Sequence, residues 1–318
     1  MKKVLSSLIF TFALLHGSPT LSPILKIDIN GTTKDMVLRG DELIIGTDNG
    51  ILQIYKYQEK KFINTISLPK VKDFMGDMTP PRVFSVDKLS NSYLLLADSG
   101  KGGYANLWIS KENNLIQLIS AKDKQAAIKA RFIDDNHILL GFLSNEASLF
   151  DIKNKKELYR VQLNESKFSD FALNEDKTQA VFSCESGILN LINTKTGKKL
   201  KELKGLNVDN VYKVDFKKDI ISGAGQDRRA SLYEKKTGKG SYIEGSFLIY
   251  ATALSPSSKR VAFAMDEKNN ISIYNRESKL KIAELKGQNS TLNTIIFKDE
   301  NIIFSSSDDS TILMWNLK

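Results

Sequence analysis

Apolar residues in this chain come in short bursts, without a helical stripe. Glu42–Gly46, Tyr93–Ala97, His137–Gly141 and Asn301–Ser305 are brief apolar runs closed by turn residues, the pattern of strands buried on both faces. The runs that follow alternate, as in Ile51-Leu-Gln-Ile-Tyr55 and Thr311-Ile-Leu-Met-Trp315, so one side of each packs against a neighbour. Ala121–Ala130 is the only stretch with room for a helical turn or two. Seven segments share one order: apolar strand, turn, anchor residue plus polar residue, basic turn, short strand. The anchor pairs are Tyr55-Lys56, Trp108-Ile109, Phe150-Asp151, Ile192-Asn193, Tyr233-Glu234, Tyr274-Asn275 and Trp315-Asn316, spaced by 53, 42, 42, 41, 41 and 41 residues. A period of 41 to 42 accommodates four short strands with their turns, one blade of a β-propeller. The expected fold is therefore all-β, a single seven-bladed propeller over residues 23–318. Regular spacing makes the anchors interblade core and not a binding stripe.

The two ends and one unit depart from the repeat. The last unit stops after its third strand, at Trp315-Asn-Leu-Lys318, and Pro23–Ile29 resembles the outer strands Lys199–Leu203 and Lys281–Leu285. Pairing this first strand into the last blade removes exposed edges and closes the ring. The 53-residue spacing carries extra residues in two loops, Val71–Arg82 and Asp98–Tyr104, which are expected on one face of one blade. Phe74, Met75, Met78, Arg82, Lys101 and Tyr104 supply adaptable contact chemistry there, and loops on rigid scaffolds are where binding concentrates. These six residues are the candidate partner-binding set.

Ser305-Ser-Ser-Asp-Asp-Ser-Thr-Ile-Leu-Met-Trp-Asn316 closely matches the turn-and-strand signature of the WD40 family, and Gly223–Glu234 is a looser copy. The chain resembles that family over nearly its whole length after the leader, most closely in the last three units and faintly in the second and third. The resemblance implies a WD40-like propeller. Where the family often has Gly-His, this chain has Gly287-Gln288 and Gly205-Leu206, so the family's buried His-Asp-Ser-Trp hydrogen-bond set is not expected. Asp227 and Asp309 keep the capacity to cap their own turns. A quinone-cofactor propeller is the minor fold alternative, but its tryptophan-rich repeat is missing: Trp108 and Trp315 are the only tryptophans.

Composition closes most catalytic routes. Among 318 residues the only cysteine is Cys184 and the only histidines are His16 and His137. That excludes an internal disulfide and a cysteine zinc cluster, and leaves too little for a histidine-rich metal site or a Ser-His-Asp triad. Cys184 lacks a base within its unit and reads as a buried thiol; His137, beside Asp134, Asp135 and Asn136, reads as a solvated turn residue. Asp48, Asp98, Asp266 and Asp308 recur once per unit, as structural turn residues do, and no single loop gathers the oxygens a calcium site needs. Gly223-Ala-Gly-Gln-Asp lacks the helix and lysine of a phosphate loop. No catalytic residue, cofactor or metal is expected.

Met1-Lys2-Lys3 followed by the apolar run Val4–Leu15 and then His16-Gly17-Ser18 has the three parts of a secretory signal peptide. Residues 1–18 are so assigned, with cleavage near Gly17 or Ser18. The run is shorter than the roughly 20 residues of a membrane span, and no cysteine follows it for a lipid anchor. A periplasmic, monomeric protein without stable membrane insertion is expected. The formal charge of +9, or +7 without Lys2 and Lys3, would otherwise raise nucleic acid as a partner, which export argues against. Lysines instead crowd the turns before outer strands: Lys153, Lys155 and Lys156; Lys195, Lys198 and Lys199; Lys235, Lys236 and Lys239.

Two functions fit this reading. One is a non-catalytic scaffold that docks a partner protein; the other is a periplasmic enzyme or small-ligand binder using the central channel. The second would need charged residues at equivalent innermost positions, and the innermost strands show no clear cluster. The short leader, the missing Gly-His and the lysine- and isoleucine-rich composition resemble the exported WD-repeat proteins that accompany periplasmic nitrate reductase. That resemblance implies an accessory role by contact, with a periplasmic reductase or its maturation factors as partner.

Overall fold

The computed structural model describes residues 17–112 and 114–318. The expected signal peptide, apart from Gly17 and Ser18, lies outside the described residues. Seven antiparallel sheets follow one another around a ring, the arrangement of a seven-bladed β-propeller and consistent with a WD40-like fold. Blade one runs Thr33–Arg39, Glu42–Thr47, Ile51–Lys56, Lys61–Ser67, from the channel outward. Blades two to seven begin with the inner strands Val83–Leu89, Ala127–Asp134, Phe168–Leu173, Val211–Lys217, Ala251–Leu254 and Leu292–Phe297. In such a meander the first and third turns of each blade emerge on one face. The second turns and the blade-to-blade connectors emerge on the other.

The repeat has a packing cause. Seven apolar clusters occupy the seven blade-to-blade interfaces among the described residues. Each anchor packs toward the preceding blade: Tyr55 joins Phe304 of blade seven, Tyr233 joins Val181 of blade four, and Trp315 joins Ala262 of blade six. Trp315 and Ile192 are fully buried, so truncating Trp315 to alanine would cost about 3–5 kcal/mol. Trp108 and Tyr274 are only partly buried against their clusters. A short 3-10 turn over Ala121–Asp123, held by a Ser120–Asp123 capping box, is the sole helical element among the described residues.

Ring closure follows the expected pairing. Leu25–Asp28 pairs antiparallel with Thr311–Asn316, Leu25 opposite Met314 and Asp28 opposite Thr311. A second pairing was not foreseen: Thr20–Leu21 lies parallel to Lys281–Leu285, making blade six five-stranded. The Glu284 amide donates to the Pro19 carbonyl at 2.9 Å and the Lys286 amide to that of Leu21 at 3.0 Å. The amino-terminal segment therefore straps two blades.

The missing Gly-His is compensated locally. Gln288, buried, donates from Nε2 to Ser305 Oγ at 2.6 Å and accepts at Oε1 from Ser307 Oγ at 2.9 Å. The Trp315 indole N–H finds no acceptor. In blade five, Asn207 donates to Asp227 Oδ1 and the Arg229 carbonyl, both at 3.0 Å. Asp227 and Asp309 cap their turns as expected, accepting from the Arg229 amide at 3.1 Å and the Thr311 amide at 2.8 Å.

Candidate functional site

The enlarged blade builds a protruding surface. Val71–Lys72 and Met78–Thr79 form a two-stranded hairpin that the sequence pattern did not reveal, its turn closed by Asp73, which accepts from the Asp77 amide at 2.9 Å. Phe74, Met75 and Met78 stand out from it, 96%, 78% and 58% exposed. The second loop braces it. Gly100 sits at φ +70°, and a β-carbon there would come within 2.3 Å of the Lys72 carbonyl oxygen, so only glycine allows this approach. Gly50, in the neighbouring turn of blade one, is likewise set against Pro81. Arg82 and Lys101 are exposed, and Tyr104 is half-buried beneath Gly102. The two loops thus meet on one face, and all six sequence-selected residues lie on them.

Cys184 is fully buried, its Sγ 3.4 Å from the Ile188 carbonyl oxygen. His137 Nδ1 lies 2.8 Å from Asp134 Oδ1 beside an exposed turn. Asp98 and Asp266 accept amide hydrogen bonds within their turns, both at 2.9 Å, and Asp48 accepts from the Thr32 amide at 2.8 Å.

The channel corrects the sequence reading, because its innermost strands do carry a charged cluster. In six of the seven inner strands one residue bulges out of the pairing with the second strand, and the next residue is Asp35, Ser85, Lys129, Asp170, Lys213 or Thr294. Two residues further along stand Asp87, Arg131 and Asp215; two further again, Arg39, Lys217 and Lys298. The signs alternate in the first two layers, and the third layer holds only cations. Charges one per repeat and opposite in sign cancel in any running average, so only superposing the repeats on their bulges would have disclosed them.

Much of the cluster locks the blades together. Asp35 Oδ2 accepts from the Val86 amide of the next blade at 2.9 Å, Asp87 from Phe132 at 3.0 Å, Asp170 from Val214 at 3.1 Å and Asp215 from Leu254 at 2.7 Å. Arg131 grips Asp35 with two nitrogens, Arg39 meets Asp87 at 2.6 Å, and Lys129 pairs with Asp170. Burial pushes the Asp35 carboxyl up, but Arg131 with Lys129 and Lys213 outweighs it and holds the group at about 2. Burial, reinforced by Arg131 and Lys213, outweighs Asp170 and brings the Lys129 ammonium down to about 8.

These layers line a cavity of about 740 Å³ in the channel, which reaches the face that bears the first turns of the blades. Its wall includes Lys177, from the first turn of blade four, and Lys88. Searches against family models and curated proteins return no match. Fold and site geometry stand by themselves.

Proposed function

We propose that this protein is an exported, non-catalytic interaction scaffold that docks a partner protein through the blade-two hairpin and its bracing loop. The carrying observation is the solvent exposure of Phe74, Met75 and Met78 on an ordered hairpin, seated by Gly100 against a rigid propeller. Exposed large apolar residues in one patch mark interaction sites, and Met and aromatic anchors beside an arginine are residue types that dominate contact energies. A propeller supplies the rigid platform, although the fold by itself does not choose between binding and catalysis. The finer reading is an accessory role for a periplasmic respiratory enzyme, with a reductase of the nitrate type or its maturation factors as partner. Its support is the sequence resemblance together with the two-lysine leader.

Replacing residues 70–80 by a connector of the length used between other blades tests this reading. The melting curve should stay nearly unchanged, because the hairpin lies outside the interblade clusters. Affinity for the co-purifying partner should fall by about 2 kcal/mol or more if an anchor is lost. Lys198→Glu with Lys199→Glu, in a turn on the opposite face, should chiefly slow association at low salt. If that pair abolishes the interaction and the hairpin replacement does not, the assigned face is wrong.

A further inference from the structure

We propose that the cationic end of the central channel binds a small multivalent oxyanion, a di- or polyphosphate or a polycarboxylate. Most cations lining the channel are already matched. Arg131 is held by Asp35, Arg39 by Asp87, Lys129 by Asp170, Lys88 by Glu42, Lys217 by Asp215 and Lys298 by Asp299. Two cations that line the cavity remain, Lys213 and Lys177, both half-buried and with no carboxylate within 4.0 Å among the described residues. Half-buried ammonium groups without a paired carboxylate are costly to hold; burial pulls Lys177 below its ordinary value against the weaker pull of Asp87, Asp134 and Asp135, and Lys213 acts on Asp35 without pairing with it. Lys213 belongs to the same layer as Lys129 and Asp35, deep in the channel; Lys177 stands at the mouth. An anion in the cavity would supply the counter-charge that both lack.

The surroundings favour a small ion over a chain segment. Four inner-strand amides that an inserted peptide would need, those of Val86, Phe132, Val214 and Leu254, are already taken by carboxylates. The cavity, at about 740 Å³, falls within the range of small-molecule sites, roughly 300–1,000 Å³. Arg39, Lys217 and Lys298 also line it, each beside its own carboxylate, and with Asp35, Asp170, Asp215 and Glu175 on the wall the lining still holds more cations than anions, an excess that concentrates counter-ions. Lysines suit this role: their compact charges ride on flexible stems, whereas the two arginines are fixed to carboxylates. The site lies on the face opposite the hairpin and does not depend on the docking reading.

Titration of the purified protein with inorganic pyrophosphate and with citrate, by calorimetry and thermal melting at low salt, decides the matter. At least one ion should bind saturably at one per chain and raise the melting temperature. Binding should weaken tenfold or more in Lys213→Met and in Lys177→Met and stay unchanged in Lys198→Met, whose charge lies outside the channel. Lys213→Met should also melt higher than the parent protein without the ion and gain nothing from adding it. The proposal is overturned if neither ion binds saturably at millimolar concentration, or if Lys198→Met weakens binding as much as the channel variants. It is equally overturned if a hexaglutamate peptide binds and both small ions fail.

Discussion

Arg131 of blade three holds Asp35 of blade one with a two-pronged hydrogen bond, 2.8 Å from Nη1 to Oδ2 and 3.0 Å from Nη2 to Oδ1. The pair reaches past the inner strand of blade two, whose Ser85 hydroxyl donates to the same carboxylate at 3.1 Å. Three blades are therefore fixed by one buried carboxylate.

Removing one partner should be far worse than removing both. Asp35→Asn or Arg131→Met leaves a buried charge without its mate and is expected to cost about 3–5 kcal/mol. The double variant Asp35→Leu with Arg131→Met should recover most of that loss. Urea melts of the three variants measure it; a double variant no more stable than the worse single one would mean that the pair does not act as a unit.

Asp35 should also shape acid stability. Its carboxyl is held at about 2 in the fold, against an ordinary 3.8, so the folded state binds the proton less readily than the unfolded chain. The resulting stabilisation, about 2 kcal/mol, is fully present above pH 4 and is lost as pH falls from about 4 to 2. Melting temperature against pH over that interval should be steeper in the parent protein than in Asp35→Asn.

The amino-terminal strap should be essential to the closed ring. A chain beginning at Asn30 loses the outer strand of blade seven and the added strand of blade six, exposing both edges. It should melt lower and associate at high concentration, visible by circular dichroism and light scattering. An unchanged melting temperature would refute terminal closure as a source of stability.

Cys184→Ser and His137→Gln should both leave biological activity intact in a complementation assay. The thiol is sealed from solvent with only Ser186 Oγ and the Ile188 carbonyl as partners, and the imidazole is engaged by Asp134. Loss of activity in a folded variant would bring back a catalytic reading.

Legibility along the chain followed physical redundancy. The anchors Tyr55, Tyr233 and Trp315 could be read because each interface demands a large apolar residue at one place in a 41-residue cycle. The closing strand Pro23–Ile29 could be read because an outer strand has a recognisable alternation. Thr20–Leu21 could not, since two paired residues carry no period. Asp35, Lys129, Asp170 and Lys213 stand 20 to 22 residues ahead of their anchors, but neighbouring repeats carry opposite charges. Only closing the ring makes those charges neighbours. Gln288 was read as the loss of a histidine-centred network, whereas an amide can both donate and accept and so rebuilds part of it.

The strap also sets a timetable for folding. Leu25 and Met314, which pair directly, stand nearly 290 residues apart in the chain. Contacts of such separation form late and slow the whole reaction. Every intermediate that precedes them carries two unsealed strand edges and the aggregation hazard that goes with them. Residues 311–316 leave the ribosome nearly 290 residues after Leu25–Asp28, so the earlier segment has to wait, unpaired, until they emerge. A chain cut short anywhere before Thr311 would never seal, so the strand Thr311–Asn316 acts as a check that all seven blades have been made.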